Sequence, residues 1–278
     1  MSGSEVRVGQ AFGDYELTVT MRDADHASTY LARPPQRLGV ADDLVELKLL
    51  GGRGSAEDFK RFSNEIRLLH ALRSPHLAEL LDAGSVGGTM FLVTRHYAEG
   101  TLDSRRTSLD PATRILLVAD AARGAHELHE VGVTHRDLRP DNIAVSGGRG
   151  RIVDLGLAQM AAGISATFGV GPIGSLAFGD PDLLASGRPG RSTDIWSLGL
   201  VLHDVTGGAA PYGTIPNGSL LEALRHVVRT TPVVDPSLDA DVRAVVGRCL
   251  APPGERYSTA AELAGALDAL VRSRGGSP

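Results

Sequence analysis

The chain has 278 residues, is 42% hydrophobic and 22% charged, and carries a net charge of -5. This composition is ordinary for a globular protein, and the acidic balance gives no electrostatic footing for a nucleic-acid partner. No apolar run reaches the roughly 18 residues that a membrane helix needs. The single cysteine, Cys249, excludes an intrachain disulfide framework and fits a reducing, cytoplasmic setting.

The N-terminal stretch MSGSEVRVGQAFGDY lacks the apolar core of a signal peptide. The first hundred residues then read as strands. "DYELTVTM" and "ASTYLAR" alternate and carry β-branched residues. "DLVELKLL" puts Val45, Leu47 and Leu49 on one face, so Glu46 and Lys48 share the other. "SAEDFKRFSNEIRLLHAL" predicts a helix capped by Ser55, with Phe59, Phe62, Ile66 and Leu69 as its inner stripe. Glu65 borders that stripe. Either it takes Lys48 as a cation, or it reaches water at the stripe's edge. "HLAELLDAG" and "MFLVTRHY" predict two further strands.

After "AEGTLD" the pattern changes. "DPATRILLVADAARGAHELHEVG" predicts a helix with Asp110 as cap and Pro111 in its first turn. Next comes "HRDLRPDN", 135–142, unusually dense in charge of both signs. "NIAV", the turn "SGGRG" and "RIVDLG" read as a hairpin that returns Asp154 to the side of Asn142 and Asp137. The remainder is mostly helical. "STDIWSLGLVLHDVTGG" is apolar enough to be buried, and "STAAELAGALDALV" carries a capping box at Thr259 and Glu262. The Gly-rich stretch 164–179 is the segment expected to move, and the tail VRSRGGSP reads as a linker within a longer chain. Of the 28 basic residues only Lys48 and Lys60 are lysines; this Arg-, Ala- and Gly-rich usage points to a GC-rich bacterial genome.

These motifs, in this order, resemble the eukaryotic-type (bacterial Hanks-type) serine/threonine protein kinase family from about Tyr15 to Val271. "HRDLRPDN" resembles its catalytic loop, "DLG" at 154–156 its metal-binding triplet, and "VELK" its strand lysine motif with Glu65 as helix partner. "GSLAFGDPD" looks like the end of the activation segment, "DIWSLG" like the buried helix beneath it, and Arg256 like the arginine that pairs with the segment-ending acid, here Asp182. The resemblance implies an α+β, two-lobed fold: a small β-rich N-lobe with one helix (1–97) and a larger, mainly α-helical C-lobe (98–278). ATP with Mg2+ or Mn2+ would lie in the cleft between them. It assigns Asp137 to the attacking hydroxyl, Arg139 and Lys48 to phosphate, Glu65 to holding Lys48, and Asn142 and Asp154 to the metal. Thr94, Arg95, His96, Tyr97 and Ala144 would contact the nucleotide base. Arg139 stands in for the family's lysine, and a planar guanidinium still binds phosphate. His135 is assigned to packing rather than to catalysis or metal binding. Arg136 would receive a phosphate from the activation segment, with Thr167 as candidate acceptor.

Two places depart from the family. The positions of the three loop glycines read Arg22, Ala24 and Ala27, and a Cβ hinders backbone approach to phosphate. Asp23 and Asp25 add charge of the wrong sign; at an effective dielectric near 20, each acid–phosphate pair at about 6 Å costs on the order of 2–3 kcal/mol. Glu46 replaces the small alanine against which adenine lies. It would either bury its carboxylate against the base, or fold back on Lys48 and compete with Glu65. Three readings therefore stand. The first is a kinase acting on Ser or Thr of a protein substrate, the second a pseudokinase regulating a protein partner, the third a small-molecule phosphotransferase.

Overall fold

The computed structural model describes residues 8–22, 27–50, 60, 63, 66–67, 69–154 and 173–275. Packing divides the chain into two units. The first comprises the described residues of Met1–Arg73 with Ala78–Tyr97; the second comprises those of Ser74–Leu77, Ala98–Gly156 and Phe168–Pro278. The fold class is α+β.

The first unit is one antiparallel sheet of β1 (Ala11–Phe12), β2 (Tyr15–Arg22), β3 (Ala27–Arg33), β4 (Val45–Leu50), β5 (Leu80–Val86) and β6 (Thr89–Arg95), in the order β1-β2-β3-β4-β6-β5. Strand alternation sorts its two faces. Val45, Leu47 and Leu49 go inward with Leu17, Tyr30, Phe91 and Val93 into one buried cluster. Each such side chain contributes about 1.5–3 kcal/mol of transfer free energy. On the opposite face Glu46 lies between Leu31 of β3 and Thr94 of β6, and Lys48 lies between Thr29 and Leu92. Lys60, Ser63, Ile66, Arg67 and residues 69–71 are helical, as the apolar stripe predicts, and Leu69 is buried. Ser55, Phe59, Phe62 and Glu65 lie outside the described residues. β5 starts at Leu80, not at His76. His76 and Leu77 belong to the second unit, where His76 O accepts from Ile152 N–H at 2.8 Å and Leu77 bridges Ile152.

In the second unit α1 (Pro111–Glu130) starts as expected: Asp110 accepts from Thr113 N–H and Pro111 occupies the first turn. The strands β7 (Ile143–Ser146) and β8 (Arg149–Ile152) form the expected hairpin, but its turn is shorter. Ser146 faces Arg149 directly, so only Gly147 and Gly148 turn the chain, at φ 57° and 75°. Two consecutive positive φ values define the tight turn that matches strand twist, and glycine adopts them freely. Then follow α2 (Pro181–Ser186), α3 (Arg191–Val205), α4 (Leu220–Arg229), α5 (Ala240–Cys249) and α6 (Ala260–Ser273). Twelve of the fifteen residues of α3 are buried, among them Asp194, Trp196 and His203. Gly199 lets α5 approach, because a Cβ there would meet Cys249 Cβ at 2.3 Å. The cap of α6 is half as expected. Thr259 accepts from Glu262 N–H, while the Glu262 carboxylate takes Ser258 N–H, one residue before the cap.

Arg256 pins the start of α2. The expected partner was Asp182, and that bond forms at 2.8 Å, but Asp182 is 58% exposed. The buried partner is Asp180, 2% exposed and 2.8 Å from Arg256 Nη1. Arg256 also donates to the carbonyls of Ala251 and Ser192, and its guanidinium stacks 4.5 Å above the Trp196 ring. Burial pushes the Asp180 carboxyl up, and the guanidinium opposes that push.

Removing the cation should leave Asp180 buried and uncompensated. Arg256→Met is expected to lower stability by about 3–5 kcal/mol in denaturant titration, and Asp180→Ala added to it should recover part of that loss. A double variant no more stable than Arg256→Met would show that the buried carboxylate is not what Arg256 compensates.

Candidate functional site

The polar residues of the loop 135–142 are held from beneath by Asp194 of α3. Its carboxylate accepts from the backbone N–H of His135 at 2.9 Å, from that of Arg136 at 2.8 Å, and from His129 Nε2 of α1 at 2.7 Å. Asp194 and the His129 side chain are fully buried, so these charge-assisted bonds work in a low-dielectric setting. His135 is buried as well. Its Nε2 donates to Val153 O at 3.2 Å and its Nδ1 accepts from Asp137 N–H at 3.3 Å. Both ring nitrogens are occupied by backbone, and the ring spans from the loop to the residue before Asp154. That is a packing role, with neither nitrogen aimed at a substrate.

Above this base three of the nominated residues meet. Asn142 Nδ2 donates to the Asp137 backbone O at 2.8 Å and to Asp137 Oδ2 at 3.1 Å. Arg139 Nε lies 3.9 Å from Asp137 Oδ2, and its Nη1 lies 3.3 Å from Asp141. Asp137 keeps 26% of its side chain exposed. Burial of the remainder pushes its carboxyl up; Arg139 and His135 pull it down, and the nearby Asp154 charge adds to the rise. Among the described residues the two non-glycine positions at positive φ are Arg136 (70°) and Asp154 (56°). A residue held there stores on the order of 1–3 kcal/mol of strain, which persists only where the surroundings over-determine it. Both flank the Asp137–Asn142 pair in the sequence.

The oxygens fit a hard divalent cation. Asn142 commits Nδ2 to Asp137, so that a cation would meet its Oδ1, and Asp154 would supply a carboxylate. Among the described residues no group of three His, Cys, Asp or Glu could hold a metal. One or two protein oxygens suit magnesium, which keeps its other positions for water and phosphate. Ala144, on β7, is buried and bridges Thr101.

On the first unit Lys48, Thr94 and Glu46 share the half-covered face of the sheet. Glu46 takes neither of its two expected courses. Its Oε1 lies 2.9 Å from His96 Nδ1, each side chain 21% exposed. A carboxylate only accepts, so Nδ1 carries the proton. Arg95 points elsewhere, to Asp42 and Glu79. Tyr97 is buried, with its hydroxyl accepting from Glu79 N–H at 3.3 Å. Arg22 ends β2 and Ala27 opens β3. Asp23, Ala24, Asp25, Glu65, Leu155 and Thr167 lie outside the described residues.

Sequence reasoning missed Asp180, Asp194 and the Glu46–His96 pair. Asp194 sits 58 and 59 positions beyond the two loop amides it holds, and nothing local announces that contact. The two acids of "GDPD" did offer a signal: a buried arginine with five donors readily takes both.

A sequence model of the protein kinase domain matches residues 42–264. Serine/threonine-protein kinase PknH of Mycobacterium tuberculosis is 30% identical over 269 residues, covering 93% of this chain and 42% of that protein. Serine/threonine-protein kinase PknK of Mycobacterium bovis is 31% identical over 244 residues, covering 84% of this chain and 22% of that protein. The chain thus spans less than half the length of these curated relatives. Among solved structures, the Mycobacterium tuberculosis PknI kinase domain superposes with a TM-score of 0.67 at 22% identity, covering 95% of this chain and 99% of that one. That likeness shows the fold.

A raised carboxyl at Asp137 has a thermodynamic sign. Stability is highest where the acid is neutral in both states. It falls as pH rises through the unfolded-state value, near 3.9, and levels off above the raised folded value. Asp137→Asn removes this penalty. Its melting temperature is expected to exceed the parent's by a gap that opens above about pH 4 and then plateaus. A gap independent of pH, or a less stable variant, would refute the assignment.

Proposed function

The chain belongs to the protein kinase family, and on that premise we propose that it transfers the γ-phosphoryl group of ATP to a serine or threonine hydroxyl of a protein substrate. What carries the proposal is the loop in which Asp137, Arg139 and Asn142 are gathered over the buried Asp194 carboxylate. Phosphoryl transfer needs positioning and charge neutralisation more than covalent chemistry, and such a braced loop supplies both.

In this reading Asp137 orients the attacking hydroxyl and accepts its proton. Its raised carboxyl makes it a better base than a solvated aspartate. Arg139 draws the transferred group's oxygens by charge and hydrogen bonds. Asn142 Oδ1 and Asp154 hold magnesium or manganese, which when bound neutralises the phosphate charge. Lys48, with Glu65 as its partner, takes the phosphates. The stretch Thr94–Tyr97, through Thr94, Arg95, His96 and Tyr97, takes the base together with Ala144. Thr167 is the proposed acceptor of an activating phosphate, with Arg136 as its receiver.

Two departures favoured a pseudokinase. One of them, Glu46, is drawn onto His96 and away from Lys48. The other is the loop with Arg22, Ala24 and Ala27 at the glycine positions and Asp23 and Asp25 beside them, of which Asp23, Ala24 and Asp25 lie outside the described residues. The protein substrate, the absence of a nucleic-acid partner and a cytoplasmic place of action are parts of the same proposal. No helix among the described residues is long and apolar enough to cross a membrane.

The direct test is intact-mass analysis after incubation with ATP and magnesium or manganese, beside Asp137→Ala. A gain of about 80 Da (one phosphoryl group) in the parent and none in the variant is expected, with Thr167 mapped first. No gain, together with no ATP-dependent rise in melting temperature, would replace the enzyme reading with the pseudokinase one.

A further inference from the structure

The Glu46–His96 pair is not used by the catalytic loop, and its chemistry raises a problem that its geometry resolves. Glu46 is two residues before Lys48 on the same sheet face, flanked by Leu31 and Thr94. If that face takes the nucleotide, as proposed above, an untethered carboxylate would stand where a purine must lie flat and where a triphosphate brings further negative charge. Desolvating it against the base has a high free-energy cost unless a donor satisfies it. Lys48 is the nearest cation on the strand, yet among the described residues the Glu46 side chain makes its one hydrogen bond to His96.

We propose that His96 acts through its side chain as a positioning residue, holding the Glu46 carboxylate off the base face and so permitting nucleotide binding in a chain that lacks a small residue at position 46. This rests on the nucleotide reading of that face and deepens it. As a base contact His96 serves only through the stretch of chain it occupies. Here its Nδ1–H becomes the group that keeps Glu46 away from both the base and Lys48. Neither residue alone explains the other. A glutamate without His96 obstructs the face, and the imidazole has no need to be there once position 46 is small.

The pairing makes the effect of one residue conditional on the other, and a double-mutant cycle reads that dependence. Mg–ATP is titrated calorimetrically into the 278-residue chain and into Glu46→Ala, His96→Ala, His96→Asn and the double Glu46→Ala/His96→Ala. His96→Ala is expected to weaken binding about tenfold, the scale of one charge-assisted hydrogen bond. His96→Asn places an amide N–H near the position of Nδ1 and should restore affinity to within about threefold. Glu46→Ala should bind at least as tightly as the parent, and removing His96 from it should change Kd by less than about twofold. Equal weakening in both backgrounds would overturn the inference, because His96 would then contact the nucleotide itself. An unaltered Kd in His96→Ala would also overturn it. If neither the parent nor Glu46→Ala binds Mg–ATP, the nucleotide reading falls and this inference with it. A parent that binds, without coupling between the two sites, sinks the inference alone.

Discussion

The Asp194 carboxylate, fully buried in α3, accepts two backbone N–H groups of the loop 135–142 and the Nε2 of His129. Those amides belong to His135 and Arg136, directly before Asp137. A loop so dense in charge cannot find its shape by apolar packing; its backbone donors must be satisfied from somewhere. Asp194 satisfies them from α3, twelve of whose fifteen residues are buried. The positive φ of Arg136 is tolerable because the residue's own N–H is fixed in this way. His135 then carries the constraint onward to Val153, next to the second strained residue, Asp154. One buried acid thus braces the backbone from which three of the nominated side chains, Asp137, Arg139 and Asn142, project.

Arg256 works by the same logic at the start of α2. Buried charges are costly unless every lone pair and proton is met, and here they are met by Asp180, Asp182, two carbonyls and the Trp196 face. Asp137 is the contrasting case. Arg139 stands 3.9 Å away, too far for a tight pair, and burial still raises the carboxyl. Burial raises both carboxyls, but Asp180 meets its cation at 2.8 Å, while Asp137, which we propose accepts a proton, has its cation at 3.9 Å. The cost in stability is small beside the several kcal/mol that a competent base contributes to a rate.

The sheet of the first unit shows how alternation divides labour. The face of Val45, Leu47 and Leu49 provides the core, and the other face presents Glu46, Lys48 and Thr94. Any residue at position 46 is therefore placed on the face of Lys48 and Thr94. In this chain a glutamate stands there, and the structure answers with an imidazole across the neighbouring strand's end. At this departure from the family the carboxylate is bonded to His96, and β4 and β6 pair without a register shift.

The α+β class was legible in the sequence because its signals are local. Alternation marked β2, β3 and β4, Asp110 with Pro111 marked the start of α1, and the apolar run marked α3. The helices α4 and α5 were less legible, being short and half-exposed. The site residues Lys48, Asp137, Arg139, Asn142 and Asp154 were nominated from their order along the chain, which a motif preserves. What they rest on was not legible. Asp194 reaches back to His135 across 59 positions, Arg256 adds the buried Asp180 to the expected, exposed Asp182, and Glu46 turns to a histidine 50 positions away. Local sequence determines which backbone shapes are cheap and which face is apolar. Only the tertiary structure decides which buried charge meets which partner, because that depends on distances between elements that no local pattern encodes.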